Sequence, residues 1–172
     1  MAGRQVSFAL RSAAAILFAI VFVWPDLPSS LLVRLFAAYT FTDGVLILAS
    51  GGWSRSHGLA WPLLLGGCLD IAIAGTVYIW PDLTLPMLAD AAAIWAIAAA
   101  ASLVAACIAL READTDHLLL AGAIVSLTFG RALLSGLATD GVVLSTWLGL
   151  YALTIGIVML KLTLKHSRVF NL

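Results

Sequence analysis

Long apolar stretches separated by short polar connections account for most of the chain. They run over about residues 8–24, 29–49, 60–80, 86–109, 117–136 and 142–164. The hydrocarbon core of a bilayer is about 30 Å thick and takes about 20 helical residues to cross. Transmembrane β-strands would instead alternate polar and apolar residues over about ten positions. The pattern therefore predicts an all-α membrane protein in which residues 1–172 form one domain of six transmembrane helices.

The composition agrees with this interpretation and excludes several classes of protein. Hydrophobic residues make up 63% of the 172 residues and charged residues 10%, with a mean hydropathy of +1.09. A soluble domain is nearer half apolar and a quarter charged, and a water-soluble fold of this size cannot bury the excess. A soluble enzyme and a disordered regulator are therefore excluded. Nine basic and nine acidic residues leave no net charge to attract a nucleic acid, so the expected partner is the lipid bilayer.

The positions of the basic residues predict the orientation of the helices. Alternate connections carry Asp26, Asp82 and Asp140 and no Lys or Arg. The other connections and the two ends carry the basic side chains Arg4, Arg11, Arg55, Arg111, Lys161, Lys165 and Arg168. By the positive-inside rule, both termini face the cytoplasm. The first apolar stretch lacks a clean signal-peptidase site, so we expect it to be retained as a helix.

A 56-residue offset relates three parts of the chain. Trp24-Pro25-Asp26-Leu recurs as Trp80-Pro81-Asp82-Leu, whereas the third copy has lost its Trp-Pro. The same offset relates Tyr39 to Trp95 and Tyr151, Gly44 to Ala100 and Gly156, and Asp70 to Ser126. Each copy (about 8–56, 57–112 and 113–168) is one helical hairpin that returns to its starting side. Three parallel hairpins predict a symmetry axis along the membrane normal.

The two Trp-Pro-Asp turns have a simple physical interpretation. Proline disfavours helical geometry in the residue before it and lacks a backbone donor, so it ends the helix at the membrane edge. Tryptophan anchors the interface, and the aspartate favours the turn toward the next helix. Trp24, Pro25, Asp26, Trp80, Pro81 and Asp82 are thus predicted to be turns at the outer interface rather than a binding loop.

These motifs resemble those of the HdeD family. The resemblance rests on the Trp-Pro hairpins, on Tyr39-x-x-x-Asp43-Gly44 and Gly51-Gly52-Trp53, and on Gly67-x-x-Asp70 before Trp80-Pro81, and it covers about residues 8–164. It implies a short bacterial inner-membrane protein with six helices and a domain of unknown function, linked in the enterobacterial member to acid resistance. It supplies no catalytic residue or ligand. The chain departs from the pattern at Ala99-Ala100, which replaces Asp-Gly in the second copy.

Three ionisable residues within the apolar stretches share one depth. At 1.5 Å per residue, Arg34, Asp90 and Arg131 lie about 8, 10 and 6 Å outward of the bilayer midplane. Each would cost about 2.5–3.5 kcal/mol near a helix centre if it had no partner. Arg34 and Asp90 are also separated by the 56-residue offset. We therefore predict an intramembrane ion pair of Asp90 with Arg34 or Arg131.

Asp43 and Asp70 are expected nearer the midplane, with no basic residue at their depth. Burial favours the uncharged acid, so one or both are candidates for protonation at neutral pH. One interpretation is a proton-sensing or proton-relaying acid pair. The alternative is a pair of helix-bridging side chains that hydrogen-bond to Thr40, Thr42 or Tyr39.

The remaining polar residues predict no catalytic, metal or cofactor site. His57, His117 and His166 are far apart and have no second ligand at a suitable spacing, and no base is available for a hydrolytic triad. A membrane enzyme acting on lipid or quinone has no supporting residue. The leading hypothesis is a non-enzymatic inner-membrane protein acting in acid or envelope stress, alone, as a homo-oligomer or as an accessory subunit of a larger membrane complex. The alternative is a small proton or solute transporter that uses Asp43 and Asp70.

Overall fold

The computed structural model describes residues 2–24, 27–53, 60–80, 83–110, 116–136 and 140–168, and the regular structure within these ranges is all helical. The helices within them are α1 (Ala2–Phe22), α2 (Ser29–Trp53), α3 (Ala60–Ile79), α4 (Leu85–Leu110), α5 (Asp116–Leu134) and α6 (Gly141–Arg168). The predicted all-α fold is confirmed.

The helices have the length and surface of a membrane protein. Four contain segments long and apolar enough to cross a bilayer: Ser29–Ala49, Leu85–Ile108, His117–Leu134 and Gly141–Leu164. The apolar segments of α1 and α3, Ala9–Phe22 and Leu64–Ile79, are shorter. Large apolar side chains are exposed on every helix, among them Leu17, Phe41, Leu65, Ile94, Ile124 and Leu150. Soluble monomers rarely expose apolar surface on this scale, so the helices indicate a multi-pass membrane protein.

The helices form a closed ring in chain order. Each one packs against the helices before and after it, and α6 completes the ring by packing along α1. The most extensive contacts are α1 with α6, α2 with α3 and α4 with α5, whereas the two helices of one hairpin contact each other less. The Ser12 hydroxyl donates a hydrogen bond to the carbonyl oxygen of Gly156, 2.8 Å away, where α1 meets α6. The helix packing is therefore more extensive between neighbouring hairpins of the ring than within each hairpin.

Glycines allow these close approaches. A Cβ atom at Gly44 on α2 would lie 2.8 Å from the carbonyl oxygen of Gly67 on α3. A Cβ atom at Gly130 on α5 would lie 2.9 Å from the carbonyl oxygen of Ala93 on α4. Because lipid supplies no hydrophobic drive for helix association, small residues at such crossings provide the packing instead.

The interior repeats at the spacing seen in the sequence. On α2, α4 and α6, buried residues occupy equivalent positions 56 residues apart. There are three such sets: Leu32 with Leu88 and Leu144; Phe36 with Ala92 and Leu148; and Tyr39 with Trp95 and Tyr151. The Trp95 ring centroid lies 5.6 Å from that of Tyr39 and 5.4 Å from that of Tyr151. The three aromatic residues therefore meet in the middle of the bundle, where they fill its interior.

The odd-numbered helices repeat with one difference. The buried positions of α3 recur 56 residues later on α5, as in Asp70 and Ser126. The buried positions of α1 precede those of α3 by 55 residues, in the pairs Ser12 and Gly67, Ala15 and Asp70, Ala19 and Ala74, Phe22 and Val77. Ala15, rather than Ala14, therefore stands where Asp70 and Ser126 stand in the other two hairpins.

Candidate functional site

An ion pair joins the two helices of the first hairpin. The Arg11 guanidinium donates from Nε to Oδ1 of Asp43 at 2.8 Å and from Nη2 to Oδ2 at 2.9 Å. The two side chains are only 10% and 17% exposed. Two parallel charge-assisted bonds between a guanidinium and a carboxylate are among the strongest polar contacts available to a protein.

The expectation that Asp43 has no basic residue at its depth is wrong. Arg11 and Asp43 lie equally far along the chain from Leu27 in the first connection, 16 residues in each direction. In an antiparallel hairpin, positions equally far from the turn face each other at one level. This equal spacing from the turn is a sequence signal for the pair, and it places Arg11 within the bundle rather than among the cytoplasmic charges. The predicted orientation therefore depends on the other basic residues.

A second buried contact joins the helices of the second hairpin. The indole Nε1 of Trp95 donates a hydrogen bond to Oδ1 of Asp70 at 2.8 Å, and the Asp70 residue is 4% exposed. Within the described part of the chain, Oδ2 of Asp70 has no hydrogen bond. Asp70 also packs against Gly44, where an added Cβ would lie 2.9 Å from the Asp70 Cβ. Because Gly44 follows Asp43, the ion pair and Asp70 form one group, which we call the acid cluster (Arg11, Asp43 and Asp70).

Both aspartates therefore bridge helices, although through partners other than those expected. The Thr40 hydroxyl donates to the carbonyl of Phe36, and the Thr42 hydroxyl donates to the carbonyl of Ala38, within their own helix. Neither threonine bonds to an aspartate among the described residues. Short polar side chains on a helix commonly satisfy themselves this way, so the aspartates are held by Arg11 and Trp95 instead.

The third hairpin repeats the second contact with different residues. The hydroxyls of Ser126 and Tyr151 lie 2.9 Å apart in a hydrogen bond, and both residues are buried. Ser126 and Tyr151 occupy the positions of Asp70 and Trp95 one offset later, so the repeat keeps the contact while changing both side chains. In the first hairpin, Tyr39 is buried without a hydrogen bond to any described residue. Ala15, whose side chain cannot form a hydrogen bond, occupies the position that Asp70 and Ser126 hold in the other two hairpins.

The structure does not bring the three outer charges together. Arg34, Asp90 and Arg131 are all exposed on the outside of the bundle, and no ion pair joins them within the described ranges. Equal depth was the basis of the predicted pair, but depth alone does not determine direction. The helices turn these three side chains away from the interior.

The two outer tryptophans lie where the turns were predicted. Trp24 lies two residues after the end of α1, Trp80 directly follows the end of α3, and both are exposed. Pro25, Asp26, Pro81 and Asp82 lie outside the described residues, so the account of these turns stays a prediction. Among the described residues, no group of three or more His, Cys, Asp or Glu side chains is placed to hold a metal ion.

Comparison with known families gives one finding. A family model described as a short repeat of unknown function, DUF308, matches residues 10–79 and again residues 67–135. The two matches begin about one repeat apart and together span well over half of the chain. No curated protein and no solved structure matches the chain. The repeated, apolar helical bundle and these two matches agree, and the chain belongs to the DUF308 family of short repeats of unknown function.

Proposed function

We propose that this chain is a six-crossing inner-membrane protein of the HdeD type, with both termini in the cytoplasm, that acts without catalysis in acid or envelope stress. Six crossings are supported by the course of α1 and α3. Where α1 packs along α6, Gly156 lies against Ala15, and Gly149 lies against Ala19 two turns further along. The outer faces of α1 and α3 carry exposed apolar residues such as Leu17 and Leu65.

The observation that carries the non-catalytic role is the use of the interior polar side chains. Asp43, Asp70 and Ser126 each bind a side chain of the other helix in their hairpin. Groups engaged across helices in this way hold the bundle together, as polar residues within membrane helices commonly do. The stress role rests on the HdeD resemblance together with membership of the repeat family.

Acid survival of cells tests this proposal. We expect a deletion strain to lose viability at low pH and to recover it when the full-length chain is supplied. Purification from native membranes, followed by mass analysis of proteins that migrate with it, separates the two modes of action. A recurrent heterologous partner indicates an accessory subunit. A deletion strain that survives acid and envelope stress as well as its parent would contradict the proposal.

A transporter of protons or a small solute is the second candidate, and the acid cluster favours it. Asp70 is buried with one carboxylate oxygen unbonded among the described residues, beside the Arg11–Asp43 pair. Buried acids within membrane helices commonly mark ion and proton pathways. Reconstituted liposomes with a pH gradient test this role, with the Asp70→Asn protein as the matched control. Proton flux that the wild type carries and Asp70→Asn lacks would replace the first proposal with this one.

A further inference from the structure

Arg34 and Asp90 occupy equivalent places on two membrane-spanning helices. They lie in the apolar segments Ser29–Ala49 of α2 and Leu85–Ile108 of α4, 56 residues apart. Leu32 and Leu88, two residues earlier on each helix, are both completely buried. The two helices therefore have the same rotation relative to the core, and each presents its charge outward at one depth.

Asp90 is the charge in greater need of a partner. It lies five residues after Leu85, the first residue of α4, which is about 8 Å along the helix axis. A long arginine side chain can reach from such a depth to the polar interface, but an aspartate is too short to do so. Ionisable side chains within membrane helices almost always find a partner or water.

The described part of the chain provides no such partner for Asp90. Arg34 projects from α2, which is separated from α4 by α3 in the ring. Arg131 on α5 is exposed and forms no ion pair with Asp90. A second copy of the chain, lying beside the first in the same orientation, presents Arg34 at the depth of Asp90.

We propose that copies of this chain assemble side by side in the membrane, with Arg34 of one copy paired with Asp90 of the next. The two charges lie at equivalent places on α2 and α4, and therefore on different faces of one copy. Each contact therefore joins two unlike faces, and contacts of this kind form rings where the rotation between copies closes, rather than two-fold dimers. Every copy in the ring gives one cation and one anion, so Asp90 has a partner in each copy.

Charge exchange tests the pairing. The full-length protein in lipid nanodiscs or mild detergent is expected to have the mass of an assembly larger than a dimer. Arg34→Asp or Asp90→Arg alone places like charges at each contact and is expected to reduce the assembly to monomers. The double variant Arg34→Asp with Asp90→Arg restores opposite charges and is expected to restore it. Arg131→Gln is the matched control and is expected to leave the mass unchanged.

Cross-linking provides a measurement that leaves both charges in place. Leu31 and Met87 are exposed, lie one turn before Arg34 and Asp90, and are themselves 56 residues apart. In a background of Cys68→Ala and Cys107→Ala, a copy with Leu31→Cys and a differently tagged copy with Met87→Cys are co-expressed and mildly oxidised. We expect the mixed cross-link in excess over links between two like copies. A monomeric wild type, a two-fold dimer, failure of the double charge variant to assemble, or a predominance of like-with-like links would each overturn the proposal.

Discussion

Trp95 and Asp70 are joined by a buried hydrogen bond of 2.8 Å between the two helices of the second hairpin. One offset later, Tyr151 and Ser126 form the equivalent contact at 2.9 Å, with different chemistry on both sides. The repeat therefore preserves a pairing of positions rather than of residue types. A buried polar contact within each of these hairpins compensates for the limited packing between its two helices.

The Asp70 carboxylate can be replaced by an amide at small cost to stability. Asp70→Asn retains an acceptor oxygen for the Trp95 indole, so we expect the free energy of unfolding to change by less than about 1 kcal/mol. Asp70→Leu leaves the indole N–H buried without a partner and is expected to cost about 1–3 kcal/mol. Thermal unfolding in detergent, followed by circular dichroism, measures both. Equal stability of the Asn and Leu proteins would show that the bond contributes nothing.

The Arg11–Asp43 pair is expected to show strong non-additivity. Asp43→Ala leaves a guanidinium buried without its counter-ion, and losses of about 3–5 kcal/mol are usual in that situation. Replacing both partners by apolar residues, with Arg11→Met and Asp43→Leu, removes the buried charges together and is expected to cost far less. A double-mutant cycle on the free energy of unfolding measures the coupling. Lys161→Ala, at an exposed charge inside α6, is the control and should stay within about 0.5 kcal/mol of wild type. Additive effects of the two single changes would contradict the paired geometry.

The position opposite Tyr39, which Ala15 occupies, can be given a hydrogen-bonding group. Ala15→Ser introduces a hydroxyl at the position that Ser126 holds beside Tyr151, and a new hydrogen bond to Tyr39 is expected to add about 0.5–1.5 kcal/mol to stability. Ala14→Ser is the matched control, because the 56-residue offset alone would select Ala14. A shift in melting temperature distinguishes them. Greater stabilisation by the change at position 14 would mean that the one-residue difference in α1 is not real.

Two glycines are expected to respond to alanine in opposite directions. At Gly44, an added Cβ would lie within 2.9 Å of both the Gly67 carbonyl oxygen and the Asp70 Cβ, so α2 and α3 must separate. We expect Gly44→Ala to destabilise the protein by about 1–3 kcal/mol. Gly75 on α3 has no neighbour within 4 Å of the added atom, and Gly75→Ala is expected to be neutral or to stabilise the helix by up to about 1 kcal/mol. Unfolding curves of the two variants and the wild type, recorded side by side, measure both changes in stability. Equal destabilisation by Gly44→Ala and Gly75→Ala would contradict the close approach of α2 and α3 at Gly44.

The helical fold was predictable because membrane helices leave a simple signal. A run of about 20 apolar residues is needed to span lipid wherever it occurs, so hydropathy alone predicts the helices. The repeat was equally accessible, since the Trp-Pro turns and the aromatic positions Tyr39, Trp95 and Tyr151 share one spacing. What hydropathy could not provide was the rotation of each helix about its axis, because apolar residues cover both the inner and the outer faces.

The errors at the charged residues follow from that missing rotation. Arg34, Asp90 and Arg131 share one predicted depth, yet their helices direct all three outward. Arg11 precedes most of the first apolar run, which predicts a place at the membrane edge, although its distance from the turn matches that of Asp43. Positions counted outward from each turn, rather than inward from each end, identify the pair. The one-residue difference of α1 has no signal in the aligned motifs, because Trp24 and Trp80 keep the full offset.

Closure of the ring by α1 and α6 has a consequence for biosynthesis. The surface of α1 around Ser12 acquires its Gly156 partner 144 residues later in the chain, after every other helix has been synthesised. Until the ribosome has synthesised α6 and released it into the membrane, the surface of α1 that packs against α6 has no partner helix. A chain that terminates after α5 is therefore an unsealed intermediate, and membrane quality-control proteases are expected to degrade it faster than the full-length protein.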